Sequence, residues 1–216
     1  NIIDFCGKPL LAWTIQAAIK SEMFSKILVS TDSEEIAKVA KNFGAEVPFL
    51  RDSFSDDLSA VSIATTRALQ QAELYWNQEF LQVVQLMANC PLRTSEDIIS
   101  AVNSFSEQSR TFQISCFKFG WMNPWWSFQL TTSGVPIHMF PEKKTMRSQE
   151  LDDLYCPTGS IWIANSKKLK KTKSFYASET TFEPISWKSA IDIDDYEDLD
   201  FALAVKNVRT IKKGIK

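Results

Sequence analysis

The chain has 216 residues, 44% of them hydrophobic and 23% charged, which suits one globular core with room for a small appended lobe. Lys and Arg number 24 against 26 Asp and Glu, so the net charge of −2 gives no electrostatic case for nucleic acid as the main ligand. No apolar run approaches the ~20 residues that span a bilayer, and the single histidine, His138, leaves no second His for H-E-x-x-H zinc chemistry.

The opening "NIIDFCGKPL" carries no Met and no signal peptide, and reads as a start from within a longer protein. "PLLAWTIQAAIKSE" (9–22) has helical apolar spacing behind a proline at its first turn. "KILVST" (26–31) predicts a short strand, "SEEIAKVAKNFG" (33–44) a helix closed by Gly44, and Glu46–Leu50 a further strand. Asp32 with Glu35 fits a D-x-x-E capping box for that helix. A helix from Ser59 to Trp76 precedes "FLQVVQLM" (80–87), the most apolar strand of the chain and the one expected to be most buried. "SEDIISAVNSF" (95–105) reads as a helix and "FQISCFKF" (112–119) as a strand.

Apolar strands alternating with helices imply an α/β fold, a three-layer Rossmann-like domain with a mainly parallel sheet. Ligands of such sheets gather at the C-terminal strand ends. That rim contains Ser30–Asp32, Arg51 and Met87–Arg93, with polar Asn89 and Cys90 directly behind the apolar strand. Arg51 is placed to clamp a phosphate or to form a surface ion pair, and the pattern alone leaves both open.

The stretch 120–157 breaks the alternation. It holds Trp121, Trp125 and Trp126 within six residues and a "TTSG" turn signal, and reads as a lid or a subunit contact. The α/β domain is thus expected over 1–119 and 158–216, with 120–157 as an inserted lobe. "SIWIA" (160–164) and "EPISW" (183–187) read as strands and "YEDLDFALAVKNV" (196–208) as the closing helix, while "KKLKKTK" (167–173) and "IKKGIK" (211–216) read as solvated basic runs. The four cysteines, Cys6, Cys90, Cys116 and Cys156, form no C-x-x-C pair, a pattern of reduced thiols in a cytoplasmic protein.

Six carboxylates lie between Asp192 and Asp200. In "IDID" (191–194) the isoleucines share one face of an extended segment and the two aspartates the other. Asp195 can cap the following helix with Asp198 three positions on. Asp192 and Asp194 are then free to converge on a hard cation such as Mg²⁺, which takes one or two carboxylates plus substrate phosphates. Spacing alone leaves the cation and capping readings open for this pair.

"GKPLLAWTI", "ILVSTDSEEIAKVAKNFGAEVPFLR", "CPLR", "RSQELDDLYCPTGSIWIA" and "IDIDDYEDL" occur in the order, and at about the spacing, of the acylneuraminate cytidylyltransferases. Over almost its whole length the chain resembles that family, the CMP-sialic acid synthetases and their pseudaminic and legionaminic acid relatives. The resemblance implies transfer of CMP from CTP to the anomeric hydroxyl of a nonulosonic acid, with release of pyrophosphate. It implies Mg²⁺ on Asp192 and Asp194, nucleotide contacts from Asn1, Arg51 and Asn89, and sugar-acid contacts from Met87, Arg147, Gln149 and Tyr155. It also implies a homodimer joined through the 120–157 lobe, with neither nucleic acid nor membrane as a partner.

The chain departs from that pattern in three places. The family's Arg-x-Gly-Gly-Ser-Lys loop and first strand are expected upstream of Asn1. Met87 stands where many members have a glutamine, and "NPWW" stands near where some have a lysine. Two alternatives follow: a non-catalytic nucleotide- or sugar-binding homologue, and another sugar nucleotidyltransferase such as a Kdo cytidylyltransferase.

Overall fold

Capping and apolar spacing account for the order of the elements. The computed structural model describes residues 1–51 and 61–214, with side chains described as far as Arg209. β1 (Asp4–Phe5) and β2 (Lys8–Pro9) form a small hairpin whose turn residues Cys6 (φ 55°) and Gly7 (φ 81°) are both left-handed, the geometry that suits two-residue hairpin loops. α1 (Leu10–Ser21) follows Pro9 and has no side-chain cap; the carbonyls of Ile3 and Asn1 accept from the Leu10 and Leu11 N–H groups at 2.9 Å instead. α2 (Glu34–Asn42) is capped by the Ser33 hydroxyl, which accepts from the Ile36 N–H at 3.3 Å. The expected Asp32–Glu35 box is corrected by this: the cap is one residue later, and Asp32 pairs with Arg51 at 3.5 Å.

α3 (Val61–Trp76) comes next. Its expected start at Ser59 lies outside the described residues. β3 (Gln82–Gln85), α4 (Ser95–Glu107, with a Thr94–Asp97 capping box) and β4 (Phe112–Lys118) follow as the apolar pattern predicts. The lobe folds as a small hairpin, β5 (Phe128–Leu130) against β6 (Pro136–His138), with Gly134 left-handed in its turn. It is held by indole N–H groups that donate to the carbonyls of Asp152 (Trp125, 2.9 Å) and Met146 (Trp126, 3.3 Å). The main sheet resumes with β7 (Tyr155–Asn165), so Tyr155 to Pro157 at the end of the lobe range belong to a sheet strand. The basic run 167–173 contributes α5 (Ser166–Thr172), β8 spans Thr180–Pro184, α6 spans Trp187–Ala190, and α7 (Tyr196–Gly214) closes the chain.

The four-stranded sheet has the order β3-β7-β4-β8. β4 and β8 are parallel, and β7 runs antiparallel to both β3 and β4, so three of the four strands share one direction. Strand alternation sorts the core into two faces. Val84, Ile161 and Ile163 pack with Ala17 of α1 and with Ile98, Ala101 and Phe105 of α4. Val83, Phe112, Ile114 and Ala164 pack with Leu169 and Phe175 on the other side, where α5 and α3 meet. Gln113 shows how strict the alternation is: on the α4 face, fully buried, it donates its amide to the Ala101 carbonyl at 3.0 Å. Two more clusters fix α1 against α2 (Leu11, Ile15, Ala37, Ala40) and against α7 (Phe5, Leu10, Ala202, Val205). The chain is thus a three-layer α/β domain.

Three expectations change. The strand expected over 183–187 lies earlier, over Thr180–Pro184, and Trp187 opens α6 instead. The other two concern the strands beside the cleft. The strands predicted over 26–31 and 46–50 are reduced to one parallel bridge, Leu28 with Glu46. β3, expected to be the most buried strand, is an edge of the described sheet and only half-buried. These last two changes have one cause. Residues 26–30 and β3 both line the same open cleft, so among the described residues each extended segment is paired on one side only. Among the described residues no helix is long and apolar enough to cross a membrane.

Candidate active site

The cleft has a volume of about 1040 Å³ and runs between α1 and α3. Its rim gathers five of the residues singled out in the sequence: Asn1, Arg51, Met87, Asn89 and Asp194. The local chain explains how they arrive there. After β3 the backbone leaves the sheet at Met87, whose N–H donates to the Gly159 carbonyl at 3.4 Å. Met87 and Gly159 are close enough that a Cβ on Gly159 would lie 2.0 Å from the Met87 Sδ. The absence of a side chain at Gly159 therefore makes room for the thioether.

Asn89 is the hinge of the site. Its carbonyl accepts from the Ile193 N–H at 3.0 Å, and its side-chain amide donates to the Asp194 Oδ1 at 3.1 Å. Ile191 and Ile193 turn inward onto the cluster of Phe5, Leu10, Leu92, Ala202 and Val205, which leaves Asp192 and Asp194 facing outward. Asp195 and Asp198 cap the following helix as their spacing suggests. Asp195 Oδ1 accepts from the Glu197 and Asp198 N–H groups at 2.8 and 3.0 Å, and Asp198 Oδ2 accepts from the Asp194 and Asp195 N–H groups at 3.0 and 3.2 Å. Those two acids build the start of α7. The segment 191–194 is extended but forms no ladder, because Asn89 and α7, not another strand, hold it.

The pair Asp192 and Asp194 carries uncompensated charge. Among the described residues neither forms an ion pair. The Asp192 carboxyl is held above its ordinary range, first by loss of water on its protein side and then by the charges of Asp194 and Asp198. Such an acid costs the fold stability when ionised. Its contribution is most favourable below the ordinary Asp pKa and is lost as pH rises through the raised folded value. Asp192→Asn is therefore expected to raise the neutral-pH melting temperature and to flatten its decline between mildly acidic and neutral pH, as thermal melts across that range would report.

These residues fit a hard divalent cation. Two outward carboxylates lack a counter-charge, one is oriented by an amide, and no third His, Cys, Asp or Glu joins them among the described residues. That is the donor set of a cation completed by phosphate oxygens and water, not of an all-protein cage.

The remaining candidates lie elsewhere. Arg147 and Gln149 are exposed in and beside the short 3₁₀ turn Ser148–Glu150, where the Arg147 N–H donates to Glu150 Oε2 at 3.2 Å. Tyr155 lines a separate small hollow with Cys116, Pro157, Phe182 and Pro184. One chain thus brings the nucleotide candidates and Met87 together, but not the other sugar-acid candidates. Two further residues prove central: Thr14, a hydroxyl on the otherwise apolar face of α1 to which the sequence assigned no role, and Arg93, a charge directly behind a buried run that the sequence placed only at the end of the Met87–Arg93 rim. A polar group in an apolar register was the available signal for each.

Cys90 lies beneath the acids, fully buried. Desolvation pushes its thiol up to about 12, with Arg93 pulling the other way and Asp192 and Asp194 adding to the rise. It is not a nucleophile at neutral pH. A thiol-reactive aromatic disulfide is expected to label exposed Cys6 in the native chain, and buried Cys90 and Cys116 only after unfolding; peptide mapping of the labelled sites checks this.

Comparison with known proteins settles the family. Residues 1–216 match the family described as Cytidylyltransferase. The chain belongs to the cytidylyltransferase family. It is 31% identical over 204 residues to a pseudaminic acid cytidylyltransferase of Campylobacter jejuni subsp. jejuni, covering 94% of this chain and 87% of the relative. It is 32% identical over 209 residues to a CMP-N,N'-diacetyllegionaminic acid synthase of Legionella pneumophila, covering 93% and 85%. Among solved structures, a CMP:2-keto-3-deoxy-manno-octonic acid synthetase complexed with CTP superposes with a TM-score of 0.68 at 12% identity, covering 96% of this chain and 91% of that one. At that identity the likeness concerns the fold, which is the mixed α/β nucleotidyltransferase fold.

Proposed function

We propose that this cytidylyltransferase transfers CMP from CTP to the anomeric hydroxyl of a nonulosonic acid of pseudaminic, legionaminic or sialic type. The observation that carries the reading is the Asn89–Asp194 pair at the cleft rim, an oriented carboxylate without a counter-ion, in a chain related along its length to enzymes named for that chemistry. The sugar hydroxyl attacks the α-phosphorus. One P–O bond forms while the bond to pyrophosphate breaks, the hydroxyl proton passes to solvent, and pyrophosphate leaves with the bonding pair. Bound Mg²⁺ would neutralise phosphate charge in that step. Asp192 and Asp194 would hold it, and Asn89 fixes the Asp194 carboxylate. Arg51, already at the cleft wall in a loose 3.5 Å pair with Asp32, exchanges that partner for the nucleotide. With no covalent intermediate, the protein contributes position and charge.

Arg147, Gln149 and Tyr155 lie outside their own chain's cleft, and the lobe exposes Trp121, Met122, Leu130 and Met139. Both facts support a homodimer in which the lobe of one protomer completes the sugar-acid side of the other's site.

The open walls of the cleft support a further strand in the complete sheet. Glu46 accepts from the Val29 N–H and donates to the Ile27 carbonyl, so the N–H and C=O of Leu28 point the other way, into the cleft. Leu81 and Met87 direct their backbone groups to β7, so by alternation those of Gln82, Val84 and Leu86 also face the cleft. An apolar strand N-terminal to Asn1, followed by the family's glycine-rich loop, fits between these two edges.

The test is pyrophosphate release by the N-terminally extended chain from CTP and Mg²⁺ with a panel of nonulosonic acids and Kdo. Release with a nonulosonic acid is expected. CTP binding without release from any acid sinks the proposal in favour of a non-catalytic homologue, and release with Kdo alone redirects it to the eight-carbon acid.

A further inference from the structure

Arg93 is a fully charged side chain with 3% of its surface exposed, and among the described residues no carboxylate forms an ion pair with it. Burial is strong enough to draw the guanidinium down to about 10, with nearby Cys90 and Asp97 opposing that shift. A buried cation without an anion is costly, so its retention needs a reason in the groups it touches.

Those groups belong to three segments, α1, β7 and the exit of β3. Arg93 Nη1 donates to the Ser160 carbonyl of β7. Nη2 donates to the Thr14 hydroxyl of α1 at 2.7 Å and to the Met87 carbonyl at 3.2 Å. Thr14 in turn lies 3.4 Å from the carbonyls of both Met87 and Ala88. A planar guanidinium serves three neutral acceptors in fixed directions, which a lysine ammonium cannot match. The knot clamps the backbone at the exact exit of β3, two residues before Asn89. Asn89 then carries the register outward, through its carbonyl to Ile193 and its amide to Asp194.

We propose that Arg93 is a positioning residue for the cation site: it touches no ligand, and sets Asp194 through the Thr14–Met87 clamp and Asn89. The inference rests on the reading of Asp194 as a cation ligand, and goes beyond it by naming what holds that ligand in place. Loss of such outer support costs a metal site about 10–100-fold in affinity. The clamp holds the chain on the rim side of Asn89 and leaves Arg51 and Asn1 untouched. A disturbed clamp therefore weakens cation binding more than nucleotide binding.

The test is a Mn²⁺ titration in the presence of CTP, with free Mn²⁺ read by electron paramagnetic resonance, on wild type, Arg93→Lys, Asn89→Ala and Asp194→Asn. Thr14→Val, which removes one acceptor and keeps the side-chain volume, serves if Arg93→Lys does not fold by near-ultraviolet circular dichroism. Arg93→Lys is expected to weaken Mn²⁺ about tenfold, with CTP affinity measured in divalent-free buffer falling by a smaller factor, because Arg51 and Asn1 keep their places. Added to Asn89→Ala it is expected to cost nothing further, because it acts through that residue. A folded Arg93→Lys or Thr14→Val with wild-type Mn²⁺ affinity overturns the proposal, and so does full additivity with Asn89→Ala. If Asp194→Asn also binds Mn²⁺ as wild type does, the fault lies in the reading of Asp194, and the positioning role falls with it.

Discussion

Replacing Asp194 with asparagine is expected to lower turnover of the N-terminally extended chain by about 10³-fold, the scale of a lost charge contact to a phosphate-bound cation. The fold should not notice. Asp194 is exposed, and its one side-chain bond is accepted from Asn89, a bond that an asparagine Oδ1 can also accept. The melting temperature should therefore hold while activity collapses. The neighbouring acid supplies the opposite control. Asp195 accepts from two N–H groups of the first turn of α7, so Asp195→Ala removes a cap and is expected to cost about 1 kcal/mol of stability. Turnover by the surviving folded protein should stay near wild type. A pair of measurements, initial rate and thermal melt, separates the two roles. Wild-type turnover in Asp194→Asn would return that residue to the surface of a helix start.

The outward facing of Asp192 and Asp194 and the capping by Asp195 and Asp198 could be read from the sequence because they depend only on local geometry. Alternation in "IDID" sends Ile191 and Ile193 inward and the aspartates outward, and capping needs an acid at a fixed offset from the helix. Helices with a clear apolar stripe, α1, α4 and α7 among them, were legible for the same reason. The errors came where local rules compete or where a neighbour decides. Ser33 and Asp32 are both good caps, and one residue of helix start chose between them. β3 has the composition of a central strand, yet among the described residues it pairs on one side only. The joint task of Arg93 and Thr14 was illegible because it lies in the carbonyls of Met87, Ala88 and Ser160, which no local pattern brings together. Arg147, Gln149 and Tyr155 could be named only by resemblance, since nothing in one chain's geometry draws them to the cleft.

Adding to Asn1 a strand of five or six apolar residues and the family's glycine-rich loop is expected to have the second large effect, on stability and activity together. The cleft is lined on one side by Leu11, Ile15 and Ala18 of α1 and on the other by Ala64, Ala68 and Ala72 of α3. The alanines recur at a four-residue spacing, so the α3 wall is small and apolar where a strand's side chains would enter. Each Val or Ile buried there gains about 1.5–3 kcal/mol, against about 1–2 kcal/mol per residue of backbone order. The balance favours insertion by a few kcal/mol before any hydrogen bond to Leu28 or Val84 is counted. For a domain of this size each kcal/mol moves the melting point by about 2–4 °C, so a rise on the order of 10 °C is expected. The amides of Leu28 and Val84 should gain hydrogen-exchange protection at the same time. An extension of equal length with proline at its third strand residue is the control, since it removes a ladder donor in what would be a central strand. The orientation follows from the walls themselves. Lys26 stacks on Trp76 beside Phe80 at one end, and Val29 and Ala88 share a cluster at the other, so both walls run the same way. A parallel insert would leave the cleft at the end where Asn1, Arg51, Asn89 and Asp194 meet, and its loop would be delivered to the acids. Equal melting points and exchange rates for the apolar and proline-bearing extensions would refute this account of the cleft. A gain in stability without any gain in CTP turnover would keep the strand and reject the loop's role.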